Sequence, residues 1–139
     1  MNPSSCTTRE LTVVAAVIRN ASGRILLTQR PAGRHMEGLW EFPGGKVGNG
    51  EAPATALVRE LREELGVEAE IGSPVTFAVH EEPGLRILLL FYNARLVRGT
   101  PHGREGQEIR WVPPSELAAY PTPPADAALV DRLSAGAAP

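Results

Sequence analysis

The stretch that decides the fold is Gly45 to Val67, GKVGNGEAPATALVRELREELGV. Its second half, Pro53 to Leu65, is predicted to be a helix. Proline suits a first helical turn, and Gly66 suits the position after the last one. At about 100° per residue, Ala54, Leu57, Val58, Leu61 and Leu65 fall within one arc, and Glu60, Glu63 and Glu64 fall within another. One side is therefore expected to enter a core while another presents three carboxylates.

Two readings compete for those glutamates. One is a solvated helix face, on which Arg59 and Glu63 form an i,i+4 pair contributing about 0.2–0.5 kcal/mol. The other is a divalent-metal site. At ~4 Å and an effective dielectric of 20, each pair of carboxylates repels by about 4 kcal/mol. A hard cation with oxygen ligands reverses that sign. The helix alone leaves both open, and the residues upstream of it decide.

Gly45 is followed after five residues by Glu51, and Glu51 after seven by Arg59-Glu60-Leu61, then Arg62, Glu63-Glu64, Leu65, Gly66 and Val67. This spacing resembles the Nudix box without a gap. Seven fixed residue types at roughly 7% usage each would coincide by chance on the order of once in 10⁸ starting positions. From about Leu11 to Leu133 the chain further resembles the MutT-like branch of that family. Glu41-Phe42-Pro43-Gly44-Gly45-Lys46 looks like its approach to the box, and Gly103-Arg104-Glu105-Gly106-Gln107 like its later loop. Tyr120-Pro121 and Pro124-Ala125-Asp126 look like its base-binding segment.

The resemblance implies an α/β fold, a Nudix-like α/β/α sandwich whose mixed central sheet carries the box helix and a C-terminal helix. It implies an enzyme that hydrolyses a nucleoside triphosphate to a nucleoside monophosphate and pyrophosphate, with Mg²⁺ (or Mn²⁺) as cofactor. Glu60 and Glu64 would be primary metal ligands with Glu63 beside them, joined by the carbonyl of Gly44 and by Glu105. Arg59 would orient a glutamate rather than touch substrate. Gly45, Glu51 and Gly66 would serve the shape of the box. Glu60, Glu63 and Glu105 all remain open as the base that takes the proton from water.

Arg30, Phe42 and Asp126 match the base pocket of the MutT-like branch. For Phe42 the competing reading is a core phenylalanine, for Arg30 a surface charge, and for Asp126 an N-cap of the closing helix. The best-known MutT pattern has asparagine where this chain has Asp126. An amide both donates and accepts, whereas an ionised carboxylate only accepts. Asp126 is thus compatible with the N7–H of 8-oxoguanine, or with its N1–H and 2-amino group, but repels O6 unless protonated, and it also suits the exocyclic amine of cytosine. The expected substrate is 8-oxo-dGTP, removed from the nucleotide pool, with CTP or dCTP as the alternative. A non-catalytic nucleotide-binding module is the rival from another class. Hydrolysis of a dinucleotide or nucleotide sugar is a third reading, because the box is common to all of these.

Working outward, 139 residues with 42% hydrophobic and 22% charged content suit one globular domain. Residues 1–9 and 135–139 are expected to be tails, with the domain spanning 10–134. The formal net charge of −2 has no basic stripe behind it, which argues against a nucleic-acid polymer as partner. No apolar run is long enough to span a bilayer, and no secretory h-region is visible, so a cytoplasmic monomer or homodimer without membrane contact is expected. The lone Cys6 fits a reducing compartment, and His35, His80 and His102 lack metal-ligand spacing.

Two hairpins are expected: Leu11–Arg19 with Arg24–Gln29, and Thr76–His80 with Arg86–Leu96 around Glu82-Pro83-Gly84. The nearly continuous apolar run of the first strand predicts cover on both its faces. A strand over Glu108–Val112, a turn of helix over Ser115–Tyr120 and a closing helix over Ala125–Leu133 complete the expectation, with fraying from Ser134.

Overall fold

A computed structural model describes residues 7–136. Cys6 and the outermost parts of both expected tails lie outside the described residues. The elements run β1 (Arg9–Ile18), β2 (Ile25–Gln29), β3 (Trp40–Glu41), β4 (Gly44–Lys46), α1 (Pro53–Leu65), β5 (Glu68–Glu82), β6 (Leu85–Arg98), β7 (Ile109–Val112) and α2 (Ala127–Ala135). Short 3₁₀ turns at Pro114–Ala119 and Pro124–Asp126 precede α2.

The strands form two sheets. One is mixed, in the order β4-β1-β6-β5, and the other is antiparallel, in the order β3-β2-β7. In the mixed sheet β1 runs parallel to β6 and antiparallel to β4. Side chains alternate across a strand, and β1 uses both sides. Val14, Ala16 and Ile18 pack with Leu57, Leu61 and Leu65 of α1. Ala15 and Val17 pack with Leu129, Val130 and Leu133 of α2. β2 divides in the same way, with Leu26 toward α1 and its neighbours Ile25 and Leu27 toward α2. The sheets are thus held between the two helices, as the α/β/α expectation required.

Three expectations need correction. β1 and β2 do not form a hairpin sheet: they belong to different sheets and share only the isolated bridge Arg19↔Ile25. The reason is that β4 and β6 occupy both edges of β1, leaving no backbone groups for β2. The turn between them is tight nonetheless, with Asn20 Oδ1 accepting from the N–H groups of Ser22 and Arg24 at 3.1 and 3.0 Å. Second, the β5–β6 hairpin is longer than expected, because pairing continues back to Glu68 through register shifts around Ile71–Thr76. β5 is an edge strand, where Pro74 removes no ladder bond the sheet needs.

Third, the wheel misplaces Ala54 and Val58 of α1 and passes over Ala56: Val58 is only half-buried. Ala54 is exposed in the first turn, while Ala56 is fully buried. The residues leading into the helix fold back over it, so that Val47 packs against the same cluster as Ala56. The remaining features of α1 follow the sequence: proline in its first turn and Gly66 at φ 71° as the left-handed cap, donating to Arg62 O at 3.0 Å. α2 continues through Ala135, past the expected fraying point at Ser134. Among the described residues no helix is long and apolar enough to cross a membrane.

Candidate active site

The loop entering α1 is tied down by Arg59. Its guanidinium donates to Glu51, to Lys46 O at 3.0 Å, to Glu60 at 2.9 Å and to Glu63 at 3.1 Å. Glu51 also accepts from the N–H of Gly48 at 2.9 Å. Arg59 therefore orients three glutamates and does not line the cleft described below.

Gly44 and the first glycine of the box, Gly45, are required by close approach. A Cβ on Gly44 would collide with the carbonyl of Val14, and one on Gly45 with the carboxylate of Glu60. Their pairing with β1, Val14↔Gly45 and Ala15↔Gly44, brings this backbone against the sheet.

The three helix glutamates have different surroundings. Glu63 is exposed, Glu60 is mostly covered, and Glu64 turns inward. Glu64 accepts the N–H of Gly44, while its Oε1 is buried without a hydrogen-bond partner. Burial, reinforced by the negative charges of Glu41, Glu60 and Glu105, pushes its pKa up to about 8. Among the described residues no three acidic, imidazole or thiol groups already converge as a cation cage, since Glu60 and Glu63 are drawn onto Arg59. The candidate donors are nonetheless all oxygen, carboxylates and the carbonyl of Gly44, which suits a hard divalent ion, and the unpartnered Oε1 of Glu64 has the character of a ligand atom.

Glu64 opens on a cleft of about 530 Å³. Of the residues singled out from the sequence, Gly44, Gly45, Glu64 and Glu105 line it together with Arg30, Phe42 and Asp126. Glu51, Arg59, Glu60, Glu63 and Gly66 do not. His80 also borders the cleft and pairs with Glu82 at 3.0 Å.

Phe42 is a core residue that also reaches the cleft. It is 4% exposed, meets Phe91 edge-on at a centroid distance of 6.1 Å, and still forms part of the cleft wall. Arg30 is not a free surface charge, because it pairs with Glu41 at 3.1 Å. Asp126 precedes α2 but makes no side-chain cap bond, so the N-cap reading is not supported. Its carboxyl is buried instead, and its pKa rises to about 7 through burial and the charge of Glu41, against the pull of Arg30.

Glu41 is the residue that sequence reasoning missed. Burial raises its pKa while Arg30 lowers it, and its charge acts on both Glu64 and Asp126. The available signal was its position between Trp40 and Phe42: with both aromatics in the core, an extended chain turns the intervening side chain the other way.

Residues 9–133 match the family model for the NUDIX domain. The chain is 46% identical over 123 residues to a CTP pyrophosphohydrolase of Escherichia coli, covering 88% of this chain and 90% of that protein. It is also 46% identical over 121 residues to an 8-oxo-dGTP diphosphatase of Haemophilus influenzae, covering 87% and 89%. The solution structure of the Escherichia coli ORF135 protein superposes with a TM-score of 0.79 at 43% identity, covering 92% and 91% of the two chains.

The chain belongs to the Nudix family.

Within that family fold, the box of this chain divides into two parts. Glu51, Arg59 and Gly45 shape the Nudix loop, and Glu64 carries the box into the cleft. Glu105 reaches the same cleft from the segment between β6 and β7.

Proposed function

We propose that this Nudix chain is a Mg²⁺-dependent nucleoside triphosphate pyrophosphohydrolase with 8-oxo-dGTP as its substrate. One observation carries the reading: Glu64, whose buried Oε1 has no hydrogen-bond partner, opens on the same cleft as Phe42 and Asp126. In this reading a site for the phosphate chain and one for the base would share a single cavity.

Glu64 and Glu105, with Glu60, Glu63 and the carbonyl of Gly44, are the residues that would hold Mg²⁺; Mn²⁺ suits the same oxygen donors. A bound divalent ion offsets the carboxylate charge against a triphosphate, polarises the attacked phosphorus and lowers the pKa of water. The resemblance to MutT-like members directs the water to the β-phosphorus. The water oxygen bonds there, the bond to the bridging oxygen of the nucleoside monophosphate breaks, and pyrophosphate leaves with the new oxygen. Glu60, Glu63 and Glu105 are the side chains available to accept the water proton.

Asp126 supports an oxidised purine. With its pKa raised to about 7, the carboxyl keeps a proton near neutrality and can donate to O6 while its other oxygen accepts N7–H. In its ionised form it accepts from the amine of cytosine. That second reading, a CTP or dCTP pyrophosphohydrolase, is favoured by the 46% identity to the Escherichia coli enzyme of that name. The proposed setting is the cytoplasm, as a monomer or homodimer.

The test is kcat/KM for 8-oxo-dGTP, dGTP, dCTP and CTP at one Mg²⁺ concentration, with pyrophosphate release as readout. Preference for 8-oxo-dGTP supports the first reading, and preference for cytidine nucleotides replaces it with the second. Tight nucleotide binding without turnover would overturn both in favour of a binding module.

A further inference from the structure

Glu105 lies on an exposed stretch between β6 and β7 with no regular structure of its own. An exposed loop carboxylate has wide freedom, and holding it in place costs entropy. Three hydrogen bonds dock this stretch onto the last turn of α1. His102 N–H donates to Leu65 O at 3.2 Å, Arg104 N–H to Glu64 O at 3.1 Å, and Arg104 Nη1 to Arg62 O at 3.1 Å. Leu65 O and Glu64 O are carbonyls that a helix end leaves without intrahelical partners, Arg62 O also accepts from the Gly66 cap, and a cation there meets the negative end of the helix dipole.

Gly66 makes room for the contact. A Cβ at that position would lie 2.7 Å from His102 Cε1 and 3.3 Å from Arg104 Cδ. The last glycine of the box therefore serves the loop as well as the helix cap. Beyond Arg104, the N–H of Glu105 is held by Gln107 Oε1 at 2.9 Å. Arg104 itself does not line the cleft, whereas its neighbour Glu105 does.

We propose that Arg104 is a positioning residue that locks the Glu105 loop to the end of α1 and so holds the Glu105 and Glu64 carboxylates across the cleft from one another. Its main chain is bonded to Glu64 and its guanidinium to Arg62, so loop and helix move as one body. Arg104 acts through Glu105 and makes no contact with substrate. The kinetic arm of its test rests on the hydrolase reading, whereas the docking itself does not.

The experiment compares wild type, Arg104→Ala, Arg104→Lys, Glu105→Gln and the double variant Arg104→Ala/Glu105→Gln. With the preferred triphosphate, Arg104→Ala should lower kcat about tenfold and leave KM within about twofold. Arg104→Lys, which still donates to Arg62 O, should recover most of that loss. In the Glu105→Gln background Arg104→Ala should cost less than about twofold, because the carboxylate it positions is already disabled. An equal loss in both backgrounds, or no loss in either, overturns the proposal.

Amide hydrogen exchange on the metal-free protein supplies a readout that needs no turnover. Arg104→Ala should speed exchange at His102 and residue 104 about tenfold or more while the β1 and β6 amides stay protected. Unchanged exchange at those two positions overturns the clamp whatever the enzyme hydrolyses. Should wild type hydrolyse none of the triphosphates, the hydrolase reading fails and the exchange result alone decides the clamp.

Discussion

Arg59 donates two parallel hydrogen bonds to Glu51, Nε to Oε2 at 2.9 Å and Nη2 to Oε1 at 3.0 Å. This fork closes the loop between Gly45 and α1, and it does so from a helix whose next residue, Glu60, belongs to the proposed metal set. The pair holds the Glu51 carboxyl down to about 2, chiefly through the hydrogen bonds from Arg59 and Gly48.

Lysine keeps the charge of Arg59 but cannot form the fork. Arg59→Lys is expected to lower kcat by about tenfold or more with little change in KM, since the loop loosens without loss of a substrate contact. Steady-state kinetics checks this. The Glu51 carboxyl lies below its ordinary 4.5 in the folded state, so its contribution to stability is complete above that pH and is lost as pH falls toward about 2. The Tm difference between wild type and Glu51→Gln should be full at pH 6 and shrink across that acid range.

Glu64 has the opposite sign. Its folded pKa of about 8 exceeds the ordinary 4.5, so metal-free stability should fall as pH rises between those values and level off above. Glu64→Gln removes the buried charge. It should be more stable than metal-free wild type at pH 8.5 by about 1–3 kcal/mol, with the gap closing toward pH 5. Its turnover should drop by orders of magnitude. Denaturant melts at the two pH values, together with activity, test this. Near-normal turnover in the folded variant would sink the assignment of Glu64.

Asp126 titrates nearer neutrality, at about 7 against an ordinary 3.8. If its proton answers the purine O6, kcat/KM for 8-oxo-dGTP relative to dCTP should decline as pH rises through that value. Asp126→Asn, which always carries a donor, should flatten the profile. It should also remove the loss of metal-free stability that wild type shows between pH 3.8 and about 7. A ratio that is pH-independent in wild type would refute the role given to this proton.

Gly44 and Gly45 are adjacent but should fail differently. A Cβ on Gly44 meets the backbone of β1 at Val14, which cannot move cheaply, so Gly44→Ala is expected to cost about 2–3 kcal/mol of stability. A Cβ on Gly45 meets only the carboxylate end of Glu60, which can swing away. Gly45→Ala should keep most of its stability and lose activity. Paired thermal melts and kinetics separate the two outcomes.

The legible parts of this molecule were those where local spacing and tertiary role coincide. The box helix is placed to the residue because Pro53 and Gly66 act through their own backbone preferences. Both-sided cover of β1 was readable because burial on two faces demands an uninterrupted apolar run. The partner of β1 was not readable: a short Gly-containing turn favours β2, but competition from β4 and β6 is a property of the whole sheet. Likewise the wheel gave Glu60, Glu63 and Glu64 a common face, yet Glu63 is exposed, Glu60 is mostly covered against Gly45, and Glu64 turns inward with its Oε1 buried.

The bare order of residues showed the acidic helix through spacings set by helix geometry, and its resemblance to the MutT-like branch supplied the family expectation and the three candidates for the base pocket. Only tertiary structure decided that Glu41 joins Arg30 and Asp126, that Asp126 faces the cleft rather than capping α2, and that Arg104 binds the Glu105 loop to the helix end. The physical reason is that charge interactions and desolvation depend on distance and burial between segments remote in the chain, and neither quantity is written in local spacing.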